Sequence, residues 1–420
     1  MEQKKISSRA KAIAWIFMLI YFASYTMRIN FAVMIVAVCE DMSLPKTALA
    51  VVLTAMTISY GVGQLISGRL GDLISPKLLL TGGLGLAIIS NLAMYFSSSV
   101  PAMTVVWVFN GLAHAMLWPP MVALMSHTLN ADEYSYVVVR VSWGSSFATI
   151  MLYTLCPLLL RVMSWKSVLL LCALFGLLTL VVWLFSAGRL FKESKRDSEK
   201  VTAEKKERRP LPKYAYFPII LIMLGIVLQG MLRDGVTNWM PSFLLESFGV
   251  SQENAIMLAV IPAIFSIFCF SLSDFVYRKL IRHETVCAAA FFTLAALASA
   301  VLFLTVRFGG SIIVSALMMA LVIGCMHGVN LLLISFVPRH FTYFGIVSGL
   351  SGLVNSCTYI GSSISTYGFA ALADSKGWDI TILGWMIISL CGVGVCMIAS
   401  RSWNRFRRST AEAMRQSEQA

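Results

Sequence analysis

AIAWIFMLIYFASYTMRINFAVMIVAVC, residues 12–39, is an apolar run with a single charge, Arg28, near its middle. A membrane-spanning helix needs about 20 predominantly apolar residues, and this run is continuous, without the alternation of a barrel strand. It also lacks a small-residue cleavage site, so it reads as a retained span rather than a removed signal. A cation at that depth costs several kcal/mol, roughly 2.5–3.5 on insertion scales. Such a cost is tolerated mostly where an anion or a water-filled cavity meets the charge.

The pattern recurs along the chain. Of the 420 residues, 58% are hydrophobic and 13% charged, where a soluble domain carries about 25% charged residues. Mean hydropathy is +0.79. Twelve apolar segments fall near 12–39, 47–71, 77–98, 101–128, 134–161, 165–186, 214–245, 251–277, 285–305, 311–337, 342–372 and 379–400. The expected fold class is an all-α membrane protein of twelve transmembrane helices in two pseudo-symmetric six-helix bundles. Residues 187–213 carry ten Lys/Arg and five Asp/Glu and end in Pro210-Leu211-Pro212. They read as a solvated linker between an N-terminal bundle (1–186) and a C-terminal bundle (214–400). A basic tail, 401–420, follows.

The net charge of +13 would suggest nucleic acid in a soluble chain. Here the cations lie between apolar segments, so they read as topology signals and lipid-headgroup contacts, with no nucleic acid partner. With the N-terminus inside, 25 of the 33 Lys/Arg fall in inside loops and tails and five in outside loops. Both termini are therefore expected in the cytoplasm, and short loops point to a bacterial cytoplasmic membrane. Nine cysteines lie in or at the ends of apolar segments without a Cys-x-x-Cys pair, so they read as packing residues with no metal role. No carboxylate pair, metal-spaced cluster or phosphate-cradling glycine loop supports an enzyme, and no cofactor is expected.

The halves repeat. Arg233 lies in the first segment of the second half as Arg28 does in the first. The spacing from Arg28 to Asp72 is matched closely by that from Arg233 to Asp274. Such repeats place a site at the midplane between halves. The two guanidiniums would face each other across a cavity and repel unless an anion lies between them. Arginine suits that task because its planar fork binds phosphate or carboxylate bidentately and stays charged. Asp234 is adjacent to Arg233, but neighbouring helical residues point about 100° apart, so it need not pair with it.

Gly68-Arg69-Leu70-Gly71-Asp72-Leu73-Ile74-Ser75-Pro76-Lys77 resembles the signature between spans two and three of the major facilitator superfamily. It differs at Ser75-Pro76, where that signature has Gly then Arg. Asp72 and its counterpart Asp274 are gating candidates at helix ends. A narrower resemblance rests on Tyr25-Thr26-Met27-Arg28-Ile29-Asn30-Phe31, Trp118-Pro119-Pro120, and Leu232-Arg233 followed by Asn238-Trp239-Met240-Pro241. These look like the organophosphate:phosphate antiporters, which include glycerol-3-phosphate and hexose-6-phosphate transporters.

That resemblance implies that Arg28 and Arg233 hold the phosphate moiety, that Tyr25 and Tyr21 line the site, and that substrate enters in exchange for inorganic phosphate. His127 falls where the family tends to have a histidine. Several positions depart from the pattern. A family lysine after the first arginine is Ile29 here, a lysine of span two falls at Gln64, a histidine of span five at about Phe147, and a Tyr-Gly-Pro of span ten is His327-Gly328-Val329. The clamp is kept while secondary cationic or titratable positions are lost, which points to a less charged, bulkier or more apolar anion.

Trp118, Trp239, Asn238 and Gln64 complete the expected substrate contacts. Asp234, His114, His127 and His327 are coupling candidates, His114 and His327 being intramembrane histidines able to relay protons. The expected function is a secondary transporter for an organic phosphate or similar small anion, working as a monomer among membrane lipids by alternating access. A proton-coupled organic anion carrier and a transporter-like sugar-phosphate sensor are the competing readings.

Overall fold

The computed structural model describes residues 6–44, 46–191, 209–250, 257–258 and 260–419, which are helical with no strand among them. Most of the charged linker, 192–208, and the start of the expected eighth segment lie outside the described residues. The helices are α1 (Ser8–Val33), α2 (Ile35–Met42), α3 (Lys46–Leu73), α4 (Pro76–Phe96), α5 (Val100–Ala115), α6 (Trp118–Thr128), α7 (Ala131–Leu159) and α8 (Trp165–Leu190). After the linker come α9 (Tyr216–Phe248), α10 (Ile261–Lys279), α11 (Glu284–Arg307), α12 (Ile312–Asn330), α13 (Val347–Lys376) and α14 (Trp378–Gln419). Helix α2 prolongs α1, α5 and α6 form one interrupted span, and α12 runs on through a π-helical turn, Leu331–Phe336. Twelve span-length helical stretches result among the described residues.

Ten of these are apolar enough, by length and composition, to cross a membrane. Helices α7 and α13 have the length, 29 and 30 residues, but carry more polar groups. Their hydroxyls are turned inward. Ser142, Ser145 and Ser146 of α7 and Ser348, Ser351, Thr358 and Ser365 of α13 are buried. Many bond a carbonyl of their own helix, as Ser142 Oγ does at Val138 (2.9 Å) and Ser365 Oγ at Ser362 (3.1 Å). Lipid offers no partner for a polar group, so helices rich in hydroxyls satisfy them locally. By contrast Phe185 is 77% exposed, Phe268 68% and Ile398 61%. Large apolar side chains standing so far out suit a hydrocarbon solvent.

The chain divides into two compact units, Met1–Arg209 with Phe344–Leu353, and Pro210–Tyr343 with Val354–Ala420. Inside the first, α1 packs on α7 and α8, α3 on α5, and α4 on α5 and α8. Inside the second, α9 packs on α14, α10 on α12, and α11 on α12 and α14. Asn238 and Trp239 tie α9 to Thr366 of α13. Counting spans in order, each pairing of the first unit recurs in the second. The repeat seen in polar residues is thus also a repeat of packing. One close approach in the first unit is at Gly144 of α7, where a Cβ would come within 3 Å of the Met18 carbonyl on α1. Small residues at such crossings let two backbones touch.

The same two helices are pinned at their N-termini. Asn130 and Glu133 form a capping box on α7. Glu133 Oε1 also accepts from Ser7 Oγ (2.5 Å) and the Ser7 N–H (3.3 Å), while Ser7 caps α1. The Ser7 hydroxyl holds the Glu133 carboxyl below its ordinary value of 4.5, against the opposing effect of burial. A depressed carboxylate stabilises the fold above its unfolded pKa and loses that contribution as pH falls through the folded one. Glu133→Gln is therefore expected to lower the thermal midpoint at pH 7. The gap to wild type should close in unfolding scans below about pH 4.5.

Candidate functional site

Arg28 lies in an aromatic nest within the first unit. Its guanidinium carbon is 4.0 Å from the centroid of Tyr60 on α3 and 5.4 Å from that of Tyr25 one turn earlier on α1. Tyr21 continues the stack, 5.0 Å from Tyr25 and 5.1 Å from Trp118. Ring faces attract a desolvated cation, and tyrosines add hydroxyls that reach an anion. Trp118 reaches this nest because span four is interrupted. Met116 and Leu117 leave the helix between α5 and α6, and Pro119 and Pro120 open the new one, where a missing N–H costs least.

Beneath the nest is a polar network the sequence reading missed. The Phe31 N–H donates to Asn30 Oδ1 (2.8 Å), and Asn30 Nδ2 donates to Asn91 Oδ1 (2.8 Å). Asn91 Nδ2 (3.0 Å) and Asn110 Nδ2 (3.1 Å) both donate to the carbonyl of Met27, the residue before Arg28. All three asparagines are fully buried. They draw α1, α4 and α5 onto one carbonyl and fix the turn that carries Arg28. Three asparagines inside separate apolar runs were the available signal, since buried amides must find partners. His114, also buried, faces the same carbonyl and Arg28.

Helix α3 links this nest to a second feature. Tyr60, Gln64, Gly68 and Asp72 follow each other at four-residue steps along it. The Gln64 amide is fully buried and neither of its side-chain atoms has a hydrogen-bond partner among the described residues. Gly68 lies against the Ser348 carbonyl, where a Cβ would come within 3 Å. Asp72 then accepts the backbone N–H groups of Ser348 and Gly349, each at 2.9 Å. These are donors of the first turn of α13, which a helix leaves unsatisfied and which favours negative charge. Asp274, expected as the counterpart of Asp72, forms an ion pair along its own helix with Arg278 (3.2 Å).

In the second unit, Arg233 is paired. Its Nε and Nη2 donate to Asp234 Oδ1 (2.6 Å) and Oδ2 (2.9 Å). The 100° between adjacent positions is bridged by the length of the arginine stem, which folds back to present both nitrogens to one carboxylate. His327 lies close to both charges and edge-on to Phe270, 5.3 Å between centroids. Each unit thus couples the arginine of its first span with a histidine of its fourth. Asn238 and Trp239 lie one to two turns beyond Arg233, with Asn238 Nδ2 donating to Thr366 Oγ1 (3.3 Å) and Trp239 Nε1 to the Thr366 carbonyl (3.1 Å). His127 is exposed at the end of α6, about 14 Å along the helix from Trp118 at 1.5 Å per residue.

Helical spans in two units of like packing, each with an arginine inside its first span, define a polytopic membrane carrier. The family model for the Major Facilitator Superfamily matches residues 17–366, and the chain belongs to that superfamily. It is similar to the glycerol-3-phosphate transporter of Bacillus subtilis, 26% identical over 93% of this chain and 91% of that one. It is also similar to the phosphoglycerate transporter protein of Salmonella typhimurium, 24% identical over 90% and 85%. Among solved structures, the proton:xylose symporter XylE of the same superfamily superposes with a TM-score of 0.72 over 94% of this chain and 95% of that one, at 14% identity. The chain is a membrane transporter, not an enzyme.

The network under Arg28 predicts a ranked effect. Leaving a buried acceptor unsatisfied costs about 1–3 kcal/mol. Asn110→Leu removes one donor from the Met27 carbonyl, whereas Asn91→Leu removes another and also strands the Asn30 amide. Denaturant titration in detergent should find both variants destabilised, Asn91→Leu the more severely.

Proposed function

We propose that this transporter moves an organic phosphate, or a similar small organic anion, across a bacterial cytoplasmic membrane in exchange for inorganic phosphate. The observation that carries this reading is the Arg28 nest, a permanently charged guanidinium set among tyrosines within a membrane span. Arg233 supplies the second fork from the other unit. The similarity to transporters of glycerol 3-phosphate and phosphoglycerate over nearly the whole chain supports phosphate esters as the substrate class. Tyr21, Tyr25, Trp118, Asn238, Trp239 and the buried Gln64 amide are the remaining groups assigned to the substrate. Ile29 and Phe147, apolar where the resembling family is cationic or titratable, suit an ester with an apolar organic part.

Alternating access moves residues 1–186 and 214–400 as halves, with 187–213 as the cytoplasmic linker and 401–420 as the cytoplasmic tail. The Asp72 cap on α13 is a contact made and broken in the cycle. The chain acts as a monomer in lipid with both termini in the cytoplasm. Arg28→Lys and Arg233→Lys are each expected to abolish uptake into phosphate-loaded proteoliposomes, because a point charge does not replace a bidentate fork. Near-normal rates in either variant would sink the clamp.

The Arg233–Asp234 pair favours a second reading, proton-coupled uptake. An anion that takes the Arg233 fork leaves Asp234 without that partner inside the membrane, and a proton on Asp234 removes the cost of the stranded charge. The two readings separate in one experiment. Exchange requires internal phosphate and survives in Asp234→Asn. Proton coupling runs on a pH gradient without internal phosphate, and Asp234→Asn abolishes its pH dependence.

A further inference from the structure

Helix α14 is 42 residues long, about 63 Å at 1.5 Å per residue. That is roughly twice the thickness of a bilayer's hydrocarbon core. Its outward face is one stripe. Ile387, Leu390, Met397 and Ile398 are exposed on it. The stripe continues at helical spacing into Arg401, Arg405 and Arg408, which are exposed too. A face apolar for several turns and then cationic matches a helix leaving hydrocarbon for headgroups. Beside the change of character, at the start of α9, Tyr214, Tyr216 and Phe217 are exposed, the aromatic residues typical of a membrane interface. Tyr214 joins the stripe directly. Its hydroxyl is 2.8 Å from Ser409 Oγ, and the Arg405 guanidinium carbon is 5.8 Å from its ring centroid. Lys213 is exposed next to it.

The inward face is locked, which fixes the direction of the stripe. Trp403 and Phe406 are fully buried and stack with Phe341, at 6.1 and 4.8 Å between centroids. Below them lies Glu284, fully buried at the start of α11. Its carboxylate accepts from Tyr277 Oη (2.7 Å), His340 Nε2 (2.7 Å), Trp403 Nε1 (2.9 Å) and Arg407 Nη1 (3.0 Å). Arg407 is drawn inward to this carboxylate, and its neighbours on the helix are left pointing out. Among the described residues no carboxylate forms a salt bridge with Arg401, Arg405 or Arg408.

We propose that Lys213, Arg401, Arg405 and Arg408, with Tyr214 at their edge, form a binding surface for the phosphates of anionic phospholipids in the leaflet on the side of the chain termini. The ligand is a lipid and not a soluble anion, because the cationic stripe is the direct continuation of the lipid-facing one. The surface is independent of the transport reading, since none of its residues is assigned to substrate.

The test uses the full chain purified in neutral detergent, with its thermal midpoint followed while phosphatidylglycerol, phosphatidylcholine or glycerol 3-phosphate is added. Phosphatidylglycerol should stabilise the wild type in a salt-sensitive way, and phosphatidylcholine should not. The triple variant Arg401→Gln, Arg405→Gln, Arg408→Gln should need about 100-fold more phosphatidylglycerol, at roughly fivefold per charge, with its midpoint in detergent alone unchanged. Arg405→Gln by itself should show about a fivefold loss, so the result does not depend on the triple variant folding. Equal stabilisation by phosphatidylcholine, or an unchanged phosphatidylglycerol response in the variants, would overturn the proposal. So would a glycerol 3-phosphate effect that matches the lipid in the wild type and is lost in the triple variant.

Discussion

The cost of holding a guanidinium inside an apolar helix shapes the first unit. Arg28 cannot lose its proton at any accessible pH, so the surroundings must accommodate the charge. They do so with the faces of Tyr25 and Tyr60, which attract a cation. The supporting layer is polar but uncharged. Asn30, Asn91 and Asn110 close on the Met27 carbonyl, so that the backbone under the arginine has one position. A carboxylate in the same place would neutralise the fork it was meant to support. Amides hold the helix without competing for the guanidinium.

The second unit meets the same cost differently. Arg233 has a carboxylate on the adjacent residue and engages it with two nitrogens. Arg28 lies against ring faces and Arg233 against a carboxylate, and both lie in the first span of their unit with a histidine of the fourth span nearby.

Much of this was legible in the sequence because lipid imposes simple demands. Span length, the six-plus-six division, the interruption at Trp118-Pro119-Pro120 and the corresponding positions of Arg28 and Arg233 all follow from what a bilayer permits. The misses share a physical origin in side-chain reach. Asp234 was placed 100° from Arg233, which is true of their Cβ atoms and irrelevant to a stem as long as arginine's. Glu284 lies at the edge of an apolar segment, where nothing in the neighbouring sequence marks it. Only the fold brings four donors from three other parts of the chain onto it.

Helix α13 has one further property. Its first turn is held by Asp72 through two backbone N–H groups. Further along, Ser363, Thr366 and Ser375 each add a second hydrogen bond to a carbonyl four residues back, at Tyr359, Ser362 and Ala371. A carbonyl shared in this way holds its own helical bond less tightly, and helices built so bend more easily. In mechanical terms α13 is a beam gripped at one end and made compliant along its length. It can flex while its grip stays closed.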